Sequence, residues 1–148
     1  MYSKENLEAV FLEKDLGKLD MALSAIGDEL EYANITSDEV VSIVNYFFSR
    51  IKDYSNKTIV ENILHISLQI MTAQKVFCGF NLDVILPHLY SMDVECSSYV
   101  LTFLGFSGDL KYEKVIENFL QNSALKKEAE EALSELRYRA KRNYTAPH

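Results

Sequence analysis

Residues 81–136 carry one pattern of apolar residues twice, at a distance of 31 positions. The first copy reads LDVILPHLY, SMD and VECSSYVLTFLGF. The second follows Ser107-Gly108-Asp109 and reads LKYEKVIENFL, QNSA and LKKEAEEALSEL. Each copy predicts two amphipathic helices joined by a short turn. Because one helical hairpin cannot bury its apolar face alone, a self-match at roughly 30–45 residues indicates stacked helical repeats.

Apolar residues at helical spacing also fill the first half, and no Val/Thr-rich alternating run occurs. The predicted helices cover 3–14, 18–32, 37–51 and 57–75, then a helix that Asn81 caps, and 94–106, 110–121 and 124–142. Ser3, and Thr36 or Ser37, are the expected N-caps of the first and third helices. Eight helices in four pairs predict an all-α fold. The expected core includes Phe47, Leu64, Leu101 and Leu133.

The length of 148 residues indicates one domain. A chain of this size buries roughly 68–70% of its unfolded surface, so it needs neither a disulfide nor a metal ion to be stable. We expect a single helical-repeat domain over residues 1–142 and a frayed tail over 143–148.

A resemblance to a known repeat lies in the second half. Leu104-Gly105-Phe106-Ser107-Gly108-Asp109 is followed by an amphipathic helix, a polar turn and a helix with the pattern Leu125, Ala129, Ala132-Leu133, Leu136. This order resembles a HEAT-type repeat, in which a proline such as Pro87 is also common. The resemblance implies a short right-handed α-solenoid of about four antiparallel helix pairs. The second helices, at about 18–33, 57–75, 94–106 and 124–141, would line its concave side.

The net charge of −7 is concentrated in residues 1–74, which hold 12 acidic and 6 basic residues. An acidic balance argues against nucleic acid as a partner, since nucleic-acid-binding proteins carry basic patches. It favours a basic protein partner, whose approach would be steered electrostatically. Solubility alone is the competing explanation of the same charge.

The two cysteines, Cys78 and Cys96, are 18 residues apart and form no CxxC pair. This spacing is not that of a zinc site, and it favours two reduced thiols in a cytoplasmic protein. The polar start MYSKENLEAV is not typical of a signal peptide, and no apolar run approaches the ~20 residues of a membrane span.

The sequence lacks the common motifs of catalytic sites. The chain has no glycine-rich phosphate loop, no HExxH, no GxSxG and no calcium loop. His65 has no His or Cys three or four residues away, and His88 follows Pro87 at the end of a predicted helix. We therefore expect no enzymatic activity, no cofactor and no metal ion.

Each predicted second helix carries a polar stripe opposite its apolar one. In the helix at 57–75 the stripe is nearly uncharged, which indicates either a contacted surface or an internal seam between helices. Four basic residues between Arg137 and Arg142 suit the negative end of the last helix dipole. The predicted partner-binding residues are Asp20, Asp28, Glu31, Glu61, Asn62, His65, Gln69, Glu95, Tyr99, Thr102, Glu131 and Glu135.

In size, helix pairing, acidity and the opening FLEKDLGKLDMAL, the chain is similar to the HEAT-like immunity proteins of bacterial polymorphic toxin and contact-dependent growth inhibition systems. The similarity implies a monomer that binds and neutralises a basic toxin domain, such as a nuclease. Two alternatives are a generic HEAT-repeat scaffold or adaptor subunit and a nucleic-acid repair enzyme on a helical-repeat scaffold. The latter would need a basic concave surface, whereas this sequence supplies an acidic one.

Overall fold

The computed structural model describes residues 3–145, with the backbone alone for residues 144 and 145. Within this part the chain is helical and contains no strand, which confirms the all-α class. Short 3₁₀ segments lie at Ile51–Asp53, Leu82–Val84, Leu86–Ser91 and Leu110–Tyr112. The α-helices are α1 (Lys4–Val10), α2 (Leu16–Glu31), α3 (Ser37–Arg50), α4 (Lys57–Gln74), α5 (Val94–Ser107), α6 (Glu113–Glu117) and α7 (Lys126–Thr145).

Side-chain caps start the first five α-helices. Thr36 and Glu39 form a reciprocal capping box at α3, in which each side chain accepts a backbone N–H of the other residue at 3.1 Å. Such a cap contributes about 1 kcal/mol to stability. The predicted caps Ser3 and Thr36 are confirmed. The caps of the five helices are Ser3, Asp15, Thr36, Asn56 and Asp93.

The four long helices pack in chain order. α2 packs on α4, α4 on α5 and α5 on α7, and the most extensive contacts are those of α2 with α4 and of α5 with α7. The remaining elements pack on these helices: α1 on α2, α3 on α4, Leu86–Ser91 on α5 and α6 on α7. The buried side chains form one apolar cluster, which includes the expected core residues Phe47, Leu64, Leu101 and Leu133.

Two glycines allow the long helices to approach closely. A Cβ at Gly27 of α2 would lie 2.8 Å from Ile66 Cγ2 of α4 and 2.7 Å from Gln69 Oε1. A Cβ at Gly105 of α5 would lie 3.0 Å from the backbone oxygen of Ala132 in α7. Both glycines lie at the most extensive helix contacts, so a side chain there would separate the helices.

The opening helix of the first copy, expected to follow Asn81, is instead a pair of 3₁₀ segments. Pro87 has no N–H to donate to an α-helical ladder, and the N–H of His88 bonds to the oxygen of Ile85, three residues back, at 3.0 Å. Asn81 does not cap a helix here. Its backbone N–H donates to Asn45 Oδ1 at 2.7 Å.

The predicted helix at 110–121 is also shorter, because α6 covers only Glu113–Glu117. Bonds to the third residue back, such as Phe119 N–H to Ile116 O at 2.9 Å, tighten the chain after α6 and bring the Phe119 ring into the core. α1 ends at Val10 through the same kind of bond, from Leu12 N–H to Ala9 O at 3.2 Å.

The last helix is longer than expected. α7 continues to Thr145 and includes residues 143–145, which the sequence predicts as the start of the tail. Residues 146–148 of that tail lie outside the described part. Among the helices between residues 3 and 145, none combines the length and the apolar character needed to cross a membrane.

We predict that Gly27→Ala destabilises the protein, because the new methyl group overlaps the fully buried Ile66 at a steric cost of about 1–3 kcal/mol. A gain of about 1 kcal/mol in helix propensity offsets part of this cost, so we expect a net loss of up to about 2 kcal/mol. Urea unfolding monitored by circular dichroism measures the difference.

Gly17→Ala is the matched control, since the nearest atom to its Cβ is Asp15 Oδ1 at 3.4 Å, an ordinary contact. We expect this variant to equal or exceed the parent in stability. If Gly27→Ala proved as stable as Gly17→Ala, the close approach of α2 and α4 at Gly27 would be wrong.

Candidate interaction face

Two amide side chains of α4 bind the carboxylates of α2. Asn62 Nδ2 donates to Asp20 Oδ1 at 2.9 Å, to Asp20 O at 3.0 Å and to Ser24 Oγ at 3.0 Å. Gln69 Nε2 donates to Asp28 Oδ1 and to Glu31 Oε2, both at 3.0 Å. An amide is neutral, so it satisfies these carboxylates without cancelling their charge.

His65 of α4 and Tyr99 of α5 form the next contact along the same surface. His65 Nδ1 and Tyr99 OH lie 3.0 Å apart, and the two rings meet edge to face at 6.0 Å. Burial, together with the negative charge of Glu61, raises the pKa of Tyr99 above that of a free phenol. Tyr99 therefore keeps its proton at neutral pH and can donate it to a neutral imidazole.

A groove of about 310 Å³ lies along the junction of α5 and α7. Thr102, Glu131 and Glu135 of the predicted set all line it. Its other lining residues are Ser98, Phe106, Glu128 and Ala132. The groove therefore combines three carboxylates with two hydroxyl groups and an aromatic ring.

The amide contacts, the His65–Tyr99 contact and the groove follow one another from α2 to α7. We call the surface made of their residues and the other predicted partner-binding residues the inner face. His65 falls between Asn62 and Gln69 on the same stripe of α4, and Tyr99 lies one turn before Thr102 on α5. The hydrogen bonds of Asn62 and Gln69 connect the α4 stripe to α2, the contact of His65 with Tyr99 connects it to α5, and the groove connects α5 to α7.

Two basic residues at the inner face were not anticipated from the sequence. Lys57 Nζ lies 2.7 Å from Asp93 Oδ2 and 3.6 Å from Glu95 Oε2, and Arg139 Nε donates to Glu135. Burial alone would raise the pKa of Asp93, but hydrogen bonds from Lys57 and from the Cys96 backbone N–H lower it below its usual value.

Ion pairing thus reduces the charge of Glu95 and Glu135, two of the seven predicted carboxylates. Within the described part of the chain the other five have no ion-pair partner. They are Asp20, Asp28, Glu31, Glu61 and Glu131.

The hydrogen bonds of Asn62, His65 and Gln69 identify the uncharged stripe of α4 as a seam between helices. This accounts for its neutral composition, since each of these side chains has a partner on α2 or α5. The binding of a partner stays a prediction, and it depends on the carboxylates around the seam rather than on the amides.

The sequence placed Ser98 and Glu128 on the polar stripes of their helices but not in the partner-binding set, and it did not indicate Phe106; all three line the α5–α7 groove. Ser98 and Glu128 lie on polar stripes of their helices, so spacing is a signal that could have included them. Phe106 ends an apolar stretch of its helix, a pattern that is typical of a core residue. Only the packing of α5 on α7 shows that its ring reaches the groove. In the described part, no cluster of three or more His, Cys, Asp and Glu side chains could hold a metal ion.

Comparison with protein-family models, curated proteins and solved structures found no match to this chain. The interpretation of the inner face therefore depends on its geometry and its charge.

We predict that Gln69→Glu destabilises the protein by about 1–3 kcal/mol, because it replaces two hydrogen bonds with a third carboxylate beside Asp28 and Glu31. Chemical unfolding at neutral pH measures the loss, and added salt should reduce it. The control is Gln121→Glu, which adds the same charge at an exposed position. Equal stability of the two variants would contradict the seam.

The two thiols should differ in reactivity. Burial, reinforced by the neighbouring carboxylate of Asp93, raises the pKa of the Cys96 thiol to about 12, whereas Cys78 is exposed. At pH 8 Cys96 is therefore a protonated thiol with little nucleophilic thiolate. We expect Ellman's reagent to modify one thiol rapidly in the native protein and none in Cys78→Ser, with the second released on unfolding. Rapid reaction of both thiols in the native state would show that the packing around Cys96 is wrong.

Proposed function

We propose that this chain is a protein-binding module without catalytic activity, built as a short right-handed α-solenoid similar to HEAT repeats. The chain-order packing of α2, α4, α5 and α7 supports this arrangement, because a solenoid repeat contacts mainly its neighbours. In the proposed solenoid these helices form the concave layer, and α1, α3, α6 and the 3₁₀ segments form the convex layer.

The proposed ligand of the inner face is a basic protein domain. The observation that carries this proposal is the group of five carboxylates on one face that form no ion pair with a lysine or arginine of the described chain. Their fields add, so they attract a positively charged protein and repel the phosphates of nucleic acid. Tyr99 is the proposed anchor, because aromatic side chains supply much of the binding energy at interfaces.

The groove between α5 and α7 suits a lysine or arginine side chain of the partner. Glu128 and Glu131 line it without an ion-pair partner in the described chain, and a guanidinium or ammonium group binds favourably to carboxylates. The groove thus adds a specific contact to the general attraction of the carboxylates.

We further propose that the partner is a toxin domain and that the chain, as a cytoplasmic monomer, neutralises it by binding. A basic nuclease would be complementary to the inner face, since its substrate-binding surface must attract phosphate. The resemblance to HEAT-like immunity proteins supports this identification.

The partner can be found with the parent and two charge variants of equal net charge. Glu61→Lys with Glu131→Lys alters the inner face, whereas Glu5→Lys with Glu117→Lys alters exposed positions of α1 and α6. We expect the parent and the second variant to co-purify with the same basic protein, encoded next to the gene of this chain, and the first variant to lose it. If that protein arrests the growth of a host cell and the parent chain restores growth, the neutralising role is supported. A partner without toxicity would instead favour an adaptor.

For that partner we predict separate kinetic effects of charge and of the aromatic ring. Glu61→Lys with Glu131→Lys should slow association by about tenfold or more at low salt and flatten its salt dependence. Tyr99→Ala should mainly speed dissociation. We expect it to weaken the binding free energy by about 2 kcal/mol or more. Surface plasmon resonance or stopped-flow fluorescence measures both rates.

Tyr99→Phe is the matched control for the anchor, because it removes the hydroxyl group that contacts His65 and keeps the ring. It should bind more tightly than Tyr99→Ala. If the variants of the inner face bound like the parent while changes at α1 or α6 abolished binding, the partner would bind elsewhere.

A further inference from the structure

A second groove lies between α1 and the C-terminal half of α3, elements that contribute no residue to the inner face. Its volume is about 500 Å³, which is within the range of small-molecule sites. Its lining includes Phe11 and Leu12, which follow α1, and Tyr46 and Arg50 of α3, with charged side chains around them.

Two of the residues that line this groove each have a buried polar atom without a hydrogen-bond partner. These atoms are the hydroxyl oxygen of Tyr46 and Nε of Arg50. Leaving a buried donor unpaired is costly, so such groups normally have a partner in a folded protein. That both belong to one groove indicates a shared ligand.

The guanidinium of Arg50 is already fixed on two sides. Its Nη1 lies 3.3 Å from Asp53 Oδ2, and its plane lies over the Phe11 ring at 5.1 Å. What remains is the edge formed by Nε and Nη2, a pair of parallel donors that matches the two oxygens of a carboxylate.

The charges around the groove suit a ligand with a single negative charge. Lys4, Arg50 and Lys52 carry three positive charges, and Glu8 and Asp53 carry two negative ones. Burial raises the pKa of Tyr46. The positive charge of Arg50 lowers it and the negative charge of Glu8 raises it, and the net effect is a raised pKa. Tyr46 therefore keeps its hydroxyl proton at neutral pH.

We propose that this groove binds a small organic acid with one carboxylate and an apolar substituent. The carboxylate accepts hydrogen bonds from Arg50 Nε and Tyr46 OH, and the substituent lies against Phe11 and Leu12. Because the two donor atoms are shielded from water, a rim side chain must move for the acid to enter. Lys4 and Lys52 on the rim are exposed, so their side chains can move while Leu12 stays in contact with the substituent.

The direct test is an NMR titration that follows the Nε–H signal of Arg50. The probes are sodium benzoate, which has an apolar ring, acetate, which has almost none, and inorganic phosphate, with chloride at matched ionic strength as the blank. We expect a saturable shift with benzoate, a weaker one with acetate and the weakest with phosphate. A signal that moves no more with benzoate than with chloride would overturn the proposal, and tighter binding of phosphate than of benzoate would overturn the assignment to a carboxylate.

Variants separate the site from general effects on folding. Tyr46→Phe removes only the hydroxyl group and keeps the ring that packs edge to face on Phe11 at 5.8 Å. We expect it to fold at least as stably as the parent and to bind benzoate about tenfold more weakly, the effect of one lost hydrogen bond to a charged group. Unchanged affinity in Tyr46→Phe would rule out its hydroxyl as a ligand contact.

Arg50→Lys keeps the positive charge and loses the two-donor edge, so it should bind benzoate more weakly still. Arg137→Lys is its control, because Arg137 is bound to Glu113 on α6, away from the groove. Equal affinity of the two lysine variants for benzoate would show that charge alone attracts the acid, and the proposed site would be wrong. Should Arg50→Lys fail to fold, the result with Tyr46→Phe decides alone.

Discussion

The close approach of the long helices at Gly27 and Gly105 is the constraint on which the inner face depends. Gly27 leaves room for the Gln69 side chain, whose Oε1 would lie only 2.7 Å from a Cβ at that position. With that room Gln69 reaches Asp28 and Glu31 across the junction. Gly105 brings the α7 backbone at Ala132 against α5, and Ala132 lines the groove beside it. The same two glycines therefore position the seam and the groove.

The choice of amides at the seam decides how much charge the inner face retains. A lysine in place of Asn62 or Gln69 would also satisfy the carboxylates of α2, but it would cancel their charge. The amides donate hydrogen bonds and leave Asp20, Asp28 and Glu31 negative. Hydrogen bonds from a neutral amide to a carboxylate hold two helices together at least as well as an exposed ion pair does. The difference between the two choices is therefore the negative charge that the seam retains.

Sequence reasoning predicted what depends on neighbours along the chain. Ser3 and Thr36 were predictable as caps, because a cap bonds to a backbone group only three residues away. The positions of α2 to α5 followed from helical spacing and the turns between them. The consequence of Pro87 was missed, because a proline is compatible either with the first turn of an α-helix or with a 3₁₀ segment, and packing decides between them.

The features that could not be predicted join residues far apart in sequence. The partner of Asn62 is 42 residues away, and the crowding at Gly27 comes from Ile66 of another helix. A stripe of Asn, His and Gln has the same pattern whether it faces solvent or a neighbouring helix, so its role as a seam required the structure. The pairing of Lys57 with Asp93 and Glu95 was hidden for the same reason, since it connects the starts of α4 and α5.

Arg139 determines where the negative charge of the inner face ends. The basic residues near the end of α7 suit the helix dipole, but Arg139 has a more specific role. Its guanidinium lies over the rings of Phe77 and Phe106, at 4.6 and 5.1 Å, and its Nε binds Glu135. Arg139 of α7 thus contacts both Phe77, which lies in the segment after α4, and Phe106 of α5. It also neutralises Glu135 at that end of the groove. The unpaired charge is therefore greatest along α2 and α4, and Tyr99 lies at the border between this charged region and the groove. A basic partner drawn to α2 and α4 would thus meet the aromatic anchor and the groove on the same approach.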